Sequence, residues 1–266
     1  MPIIQATYVY CLVAGERRPA LRRPRTGLPG AGPVRLLALD VPRRRHPEPS
    51  TRLHRWLVVA DVPLAQYGEA EINQRLNDLD WVSRAAVAHE RVVESFRSSD
   101  ALLPMKLFTI FSSDDRAAAD LLVRRREVDR ILRRVMNHDE WGVRIVLDRA
   151  AVRDAALRRP KTSGTAYLTQ KKAARNRTAE LVARSRDVTS QVFDTLAARS
   201  TAARRRAAAD LPAAGATLLL DGAFLVARSA AARFRAAAGR EARALAKDGY
   251  ELTLTGPWPA YSFMQE

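Results

Sequence analysis

The chain has 266 residues, of which 47% are hydrophobic, and a formal net charge of +16. This length is enough for two domains with buried cores, and no apolar run reaches the roughly 20 residues that a membrane helix needs. The single cysteine, Cys11, excludes an internal disulfide framework and is typical of a reducing cytoplasm, where we expect the protein to act. An alternating apolar pattern surrounds Cys11, which favours a buried side chain over a reactive thiol.

The excess positive charge is confined to two segments. The net charge is +8 in residues 1–55, −2 in 56–150, +9 in 151–210 and +1 in 211–266. Such basic segments attract nucleic acid or acidic protein surfaces. They lack the interleaved aromatic side chains of single-strand grooves, and the chain has no zinc-finger spacing or RNP motif. We therefore expect nucleic-acid binding to be weak and non-specific. A basic nucleic-acid-binding or general protein-interaction module remains the alternative function.

The first 100 residues are predicted to form a small α+β domain. Strands are predicted at 5–13, 34–39 and 55–61, followed by a helical region in which apolar residues recur at three- and four-residue steps from Ile72 to Phe96. His89 lies on this apolar stripe, which is typical of a histidine packed in a core.

The rest of the chain contains two predicted strand–helix–strand units, 101–148 and 215–256, with a long helix between them. Packing both units into one sheet predicts a ferredoxin-like split βαβ domain, 101–266, with a helical insertion at about 151–210. Within the second unit, Asp221-Gly222 is compatible either with a hairpin turn or with one irregular strand. The expected fold class is α+β with two domains, N-terminal α+β and C-terminal ferredoxin-like.

Signals for catalysis are weak throughout the chain. Gly27 to Gly32 contains three glycines but no following Gly-Lys-Ser/Thr, so a proline-glycine turn is favoured over a phosphate loop. His138-Asp139-Glu140 has metal-ligand side chains, but consecutive residues point in different directions and lack a His-Glu-x-x-His spacing. No Gly-x-Ser-x-Gly nucleophile elbow occurs. The sequence therefore predicts no catalytic, cofactor-binding or metal site, and a protein that is not an enzyme.

The C-terminal tail, Gly256 to Phe263, carries three aromatic residues on a proline-stiffened backbone. Prolines on both sides of Trp258 exclude a helix and a central strand, so the tail is expected to be extended. Its aromatics either bury themselves and fix the C-terminus, or form a docking element for a partner. We identify Trp258, Pro259, Tyr261 and Phe263 as candidate partner-binding residues and expect them to fix the tail against the second domain.

Four stretches of this sequence resemble the gas vesicle protein F/L family in the same order along the chain. They are Tyr8–Val13, Leu103–Phe111, Glu140–Ile145 and the tail Gly256–Phe263. The chain departs from the family pattern at Cys11, where glycine is expected, at Leu107-Phe108, where Phe-Gly is expected, and at Ala260, where proline is expected. The backbone near Phe108 is therefore expected to differ from that of the family.

The resemblance implies a non-enzymatic gas vesicle assembly protein with two α+β domains. Members of this family are minor components or accessory factors that associate with the small hydrophobic shell protein. The implied partners are the major gas vesicle shell protein and other gas vesicle accessory proteins, without a cofactor and without a membrane. The implied location is the cytoplasm and the gas vesicle.

Overall fold

The structure, a computed structural model, describes residues 4–21, 27–39, 53–148, 184–206 and 216–264. The chain forms two compact units. The first consists of Met1–His138 together with Trp258–Glu266, and the second of Asp139–Pro257. The architecture is mixed α and β with two antiparallel sheets, which confirms the predicted α+β class.

The first unit is organised around a central strand that is buried along almost its whole length. Its strands are β1 (Gln5–Gly15), β2 (Arg35–Ala38), β3 (His54–Pro63), β4 (Ala101–Pro104) and β5 (Ile110–Phe111). The sheet order is β2-β3-β1-β4, and β5 also pairs with β1. All residues of β1 after Gln5 are buried, as expected for a strand that is covered on both faces.

Five α-helices accompany this sheet in the described part of the first unit. They are α1 (Leu64–Tyr67), α2 (Glu69–Arg75), α3 (Leu79–Glu94), α4 (Asp114–Val123) and α5 (Arg125–Val135). Helix α3 begins after Asp78, whose carboxylate accepts the Trp81 N–H at 3.0 Å, because an N-cap side chain satisfies a backbone donor that lacks a helical partner. The buried face of α3 includes Trp81, Ala85 and His89, and it joins one hydrophobic cluster with Tyr8 and Tyr10 of β1.

The glycine-rich stretch near residue 30 forms the predicted proline-glycine turn. The Ala31 N–H donates to the Leu28 carbonyl at 3.0 Å, and Gly30 has a φ of 76°, a conformation that glycine adopts without steric cost. The Leu28 N–H in turn donates to the Tyr10 hydroxyl at 3.0 Å. The turn therefore serves to satisfy a buried tyrosine rather than to hold a phosphate.

Phe108 has a left-handed backbone conformation with a φ of 63°. Residues with a Cβ adopt this region at a cost of roughly 1–2 kcal/mol. Two contacts hold Phe108 in place: its ring stacks on Trp81 with centroids 5.1 Å apart, and its N–H donates to the Tyr8 hydroxyl at 3.2 Å. The position at which the sequence departs from the family's glycine is therefore one that glycine would adopt more easily.

The second unit has the ferredoxin-like arrangement that the sequence predicted. Its described elements are β6 (His138–Asp148), α6 (184–197), β7 (Ala202–Arg205), β8 (Ala216–Ala227), α7 (Ala231–Ala246) and β9 (Tyr250–Trp258). The sheet order β7-β8-β6-β9, with a helix after the first and third strands, is that of the split βαβ fold. Strand β8 continues through Asp221-Gly222, so these residues do not form a hairpin turn.

The elements that build the ferredoxin-like sheet differ from the predicted ones. Strand β4 pairs with β1 of the first sheet, with Ala101 opposite Ala14, and the first unit extends to His138 rather than to residue 100. The expected boundary at 100 and the use of 101–111 as a strand of the second sheet are therefore wrong. Local pattern identified the strand, but its partner lies about 90 residues away in the sequence.

The expected helical insertion at about 151–210 contains integral parts of the second sheet. Val192 and Leu196 of α6 are buried in its hydrophobic cluster, and β7 pairs with β8, with Ala202 opposite Leu225. Residues 151–183 and 207–210 lie outside the described residues. The part that is described is therefore not an insertion into the fold but its second strand and first helix.

Candidate partner-binding surface

The C-terminal tail from Trp258, the last residue of β9, to Phe263 is anchored by its small and apolar residues and exposes two of its aromatics. Phe263 is fully buried, and Pro259 and Ala260 are buried as well. The side chains of Trp258 and Tyr261 are 41% and 36% exposed. Phe263 is thus buried as the first interpretation expects, whereas Trp258 and Tyr261 stay accessible, as a docking element requires.

The tail contacts the first unit, which corrects the expectation that it is fixed against the second domain. Residues from Trp258 onward group with the first unit. The Tyr261 hydroxyl donates to Oε2 of Glu90 on α3, and the Arg134 guanidinium of α5 lies 5.9 Å from the ring centroid of Phe263. Strand β9 supplies the end of the second sheet, whereas the aromatic side chains beyond it pack on α3 and α5.

The pKa shifts of Glu90 and Tyr261 determine which group donates the hydrogen bond between them. Burial raises the pKa of Glu90, and the hydrogen bond from Tyr261 opposes that rise. Burial also raises the pKa of Tyr261, and the adjacent Glu90 carboxylate raises it further. Tyr261 therefore keeps its proton and acts as the donor at neutral pH.

An exposed aliphatic residue lies next to this contact on the same helix. Val87 is three residues before Glu90, so the two side chains are neighbours on one face of α3, and Val87 is exposed. We call Val87, Glu90 and Tyr261, together with Trp258 three residues before Tyr261 in the chain, the tail surface. Sequence reasoning identified Trp258 and Tyr261 but missed the α3 residues. The available signal was Val87 itself, an apolar residue outside the predicted apolar stripe.

The other residues considered for chemistry have structural partners. Cys11 is fully buried, and burial raises the pKa of its thiol. Nδ1 of His138 bonds the Met136 carbonyl at 2.6 Å, Asp139 pairs with Arg228 at 3.4 Å, and Glu140 pairs with Arg206 at 3.6 Å. Among the residues that the structure describes, no three His, Cys, Asp or Glu side chains are grouped so that they could hold a metal ion.

Membrane insertion by a helix also finds no support in the described part of the chain. None of its helices combines the length and the apolar character required to span a bilayer. The features described so far are those of an α+β protein with an anchored, partly exposed aromatic tail.

Comparison with known proteins shows the family directly. The model of the family described as gas vesicle synthesis protein GvpL/GvpF matches residues 6–265, and the chain belongs to this family. It is 29% identical over 220 residues to gas vesicle protein L of Streptomyces sp. (strain CB03234), covering 77% of this chain and 78% of that protein.

Solved structures of the same family share the fold. The crystal structure of GvpF from Anabaena sp. PCC7120 matches with a TM-score of 0.68 at 13% identity, over 98% of this chain and 97% of that one. The crystal structure of GvpF from Microcystis aeruginosa matches with a TM-score of 0.62 at 13% identity, over 98% and 99% of the two chains. This chain therefore shares its overall fold with both GvpF structures.

Proposed function

We propose that this protein is a non-enzymatic gas vesicle assembly factor that binds the small hydrophobic shell protein in the cytoplasm while the vesicle forms. Membership of the gas vesicle synthesis family supports the assembly role. The proposal involves no metal, cofactor or chemical step. Stoichiometric zinc or iron in protein purified without chelator would contradict that part of it.

The observation that supports the proposed binding is the different exposure of the tail residues: Phe263 is buried, whereas Trp258 and Tyr261 are partly exposed. A shell subunit that has not yet been incorporated exposes an apolar face without a partner, which makes it prone to aggregate. Tryptophan and tyrosine are the residues most often responsible for binding energy at protein interfaces. Because Phe263 is buried and Tyr261 bonds Glu90, the tail surface is ordered before binding, and docking to it loses less conformational entropy.

Capture of the shell protein by the tagged chain during co-expression tests the proposal. We expect Trp258→Ala to reduce the amount of co-purified shell protein and to leave the melting temperature nearly unchanged, since the indole is partly exposed. Val123→Ala, which removes a more exposed apolar side chain of the same unit, is the matched control and should capture normally.

Two outcomes would count against the proposal in different ways. If the wild-type chain fails to capture shell protein, the proposed function is wrong. If Trp258→Ala and Tyr261→Ala both capture as well as wild type, the shell protein is bound elsewhere and the tail surface has no part in binding.

A further inference from the structure

A second surface lies entirely within the second unit, where the end of α6 approaches the start of α7. An open pocket of about 610 Å³ is found there, within the range of roughly 300–1,000 Å³ that is common for binding pockets. Its wall is predominantly apolar and includes Ala198, Ala227, Ala236 and the ring of Phe234. We call it the α6–α7 pocket.

Among the residues that the structure describes, the charged side chains that line this pocket are all arginines. Arg199, Arg233 and Arg240 belong to the lining, and no acidic residue of the described ranges does. Among the described residues, acidic partners are available to other arginines of this unit, such as Arg206 and Arg228, whereas neither Arg233 nor Arg240 has one. The α6–α7 pocket therefore combines an apolar wall with positive charge that the described chain does not neutralise.

The start of α7 adds to this positive character. The helix has no acidic residue in its first turn, and its N-cap Ala230 provides no side-chain cap. Acidic side chains or caps normally offset the partial positive charge of a helix N-terminus. Ala230 itself lines the pocket, so this end of α7 faces the same space as the arginines.

We infer that the α6–α7 pocket is a docking site for an acidic amphipathic segment of a partner protein. Apolar side chains of that segment occupy the alanine-lined wall, and its carboxylates pair with Arg233 and Arg240. Arginine is suited to this role because its planar guanidinium binds a carboxylate through two parallel hydrogen bonds. An apolar centre with arginines at its rim is also the common composition of an interface hot spot.

The positive charge of the pocket favours an acidic partner segment over two alternatives that this chain itself could supply. Residues 149–183 of this chain carry nine Lys or Arg against two acidic residues, so they are repelled by the arginines of the pocket. A second copy of the chain brings a net charge of +16 and is disfavoured for the same reason. The inference rests on the proposed assembly function, in which the partner is another gas vesicle protein, but it uses a different site from the tail surface.

Photo-crosslinking in the full chain tests the inference. The probe is p-benzoylphenylalanine at Ala236, inside the pocket, with Ala232 as an exposed control position on the same helix outside the pocket lining. In cells that form gas vesicles, we expect position 236 to crosslink to a peptide of net negative charge, identified by mass spectrometry, and position 232 to give little product.

Charge reversal supplies the matched comparison. Arg233→Glu with Arg240→Glu should reduce the crosslink yield by about ten-fold or more. Arg235→Glu with Arg243→Glu changes the charge of the same helix equally at exposed positions outside the lining and should leave the yield unchanged. Equal melting temperatures of the two double variants show that folding does not explain the difference.

Several results would overturn the inference. They are equal yields from 236 and 232, a crosslink to a basic or neutral peptide, to a lipid or to a second copy, and insensitivity to the reversal at Arg233 and Arg240. The two proposals fail separately. Loss of shell-protein capture with the acidic crosslink intact refutes the proposed function alone, whereas intact capture without that crosslink refutes the docking site alone.

Discussion

The two units each cover a small sheet with helices and both bury polar groups, but of different kinds: Thr7 and His89 in the first unit, and Glu140, Ser185, Thr189 and Asp221 in the second. The first unit buries a polar cluster in which the Tyr8 hydroxyl and His89 Nδ1 lie 2.7 Å apart and the Tyr10 ring lies 5.6 Å from that of His89. The hydrophobic cluster of the second unit is built around Trp141, Phe224 and Phe234 with several alanines. All four histidines of the chain fall within residues 1–138.

This difference separates two ways of specifying a fold. Buried polar groups fix a unique arrangement because each must keep its hydrogen-bond partner, and they make stability depend on protonation. An aromatic and alanine core depends mainly on volume and packing. We therefore expect the buried His89 to make the first unit respond to acidification, and both units to respond to loss of buried volume.

The largest expected effects come from truncating one fully buried phenylalanine in each unit. Phe263→Ala and Phe234→Ala remove rings with no exposed surface, and each should lower the free energy of unfolding by about 3–5 kcal/mol. Amide hydrogen exchange checks where the loss falls. It should accelerate in the first unit for Phe263→Ala and in the second for Phe234→Ala.

Trp258→Ala is the control for this pair, because its partly exposed side chain should cost much less when removed. If each phenylalanine substitution accelerates exchange equally throughout the chain, the two units unfold as one cooperative body and the comparison between them does not hold.

The position of Phe263 also illustrates what could be predicted from the sequence. The predicted extended backbone is found from Gly256 to Trp258, at the end of β9, whereas Tyr261–Phe263 form a 3-10 turn, and of the three aromatics only Phe263 is buried. The side on which it packs could not be predicted, because the contacts of Tyr261 with Glu90 and of Phe263 with Arg134 join residues more than 120 positions apart. Local pattern contains no information about such partners.

Strand β7 shows a second limit of prediction from the sequence. Its sequence, Ala202-Ala-Arg-Arg205, has low strand propensity. It also continues a basic segment whose sequence pattern predicts a helix. It is a strand because it pairs with β8, so tertiary context overrides propensity. The predicted ferredoxin-like sheet nevertheless contained three of the four observed strands, β6, β8 and β9, in the correct order, whereas its remaining predicted strand, 101–111, belongs to the first sheet.

The next effect in size is a pH dependence that arises from His89 in the first unit. Burial lowers the pKa of His89 to about 4 from its ordinary 6.5, and a hydrogen bond with the Met105 backbone opposes the shift. Between these values the unfolded chain binds a proton that the folded chain does not, so stability falls as pH drops from 6.5 towards 4. The shift corresponds to about 3 kcal/mol at most.

Two variants identify the group responsible in urea unfolding experiments at pH 6.5 and pH 4. His89→Leu removes the titrating ring and should reduce the loss of stability on acidification. Tyr8→Phe removes only the hydroxyl bonded to Nδ1 and should keep that loss, because burial rather than this bond lowers the pKa. An unchanged pH dependence in His89→Leu would show that the loss has another source.

The smallest expected effect tests the left-handed backbone conformation of Phe108 in the first unit, which predicts which of two substitutions is the more stable. Phe108→Gly and Phe108→Ala both remove the ring stacked on Trp81, so both should be less stable than wild type. Glycine adopts a φ of 63° with little strain and alanine does not, so Phe108→Gly should be the more stable of the two by about 1 kcal/mol.

At Ala88, inside α3, the order is reversed, because glycine in a helix costs about 1 kcal/mol relative to alanine. Thermal unfolding of the three variants checks both signs, and a Phe108→Ala variant at least as stable as Phe108→Gly would mean that residue 108 is not held in the left-handed conformation.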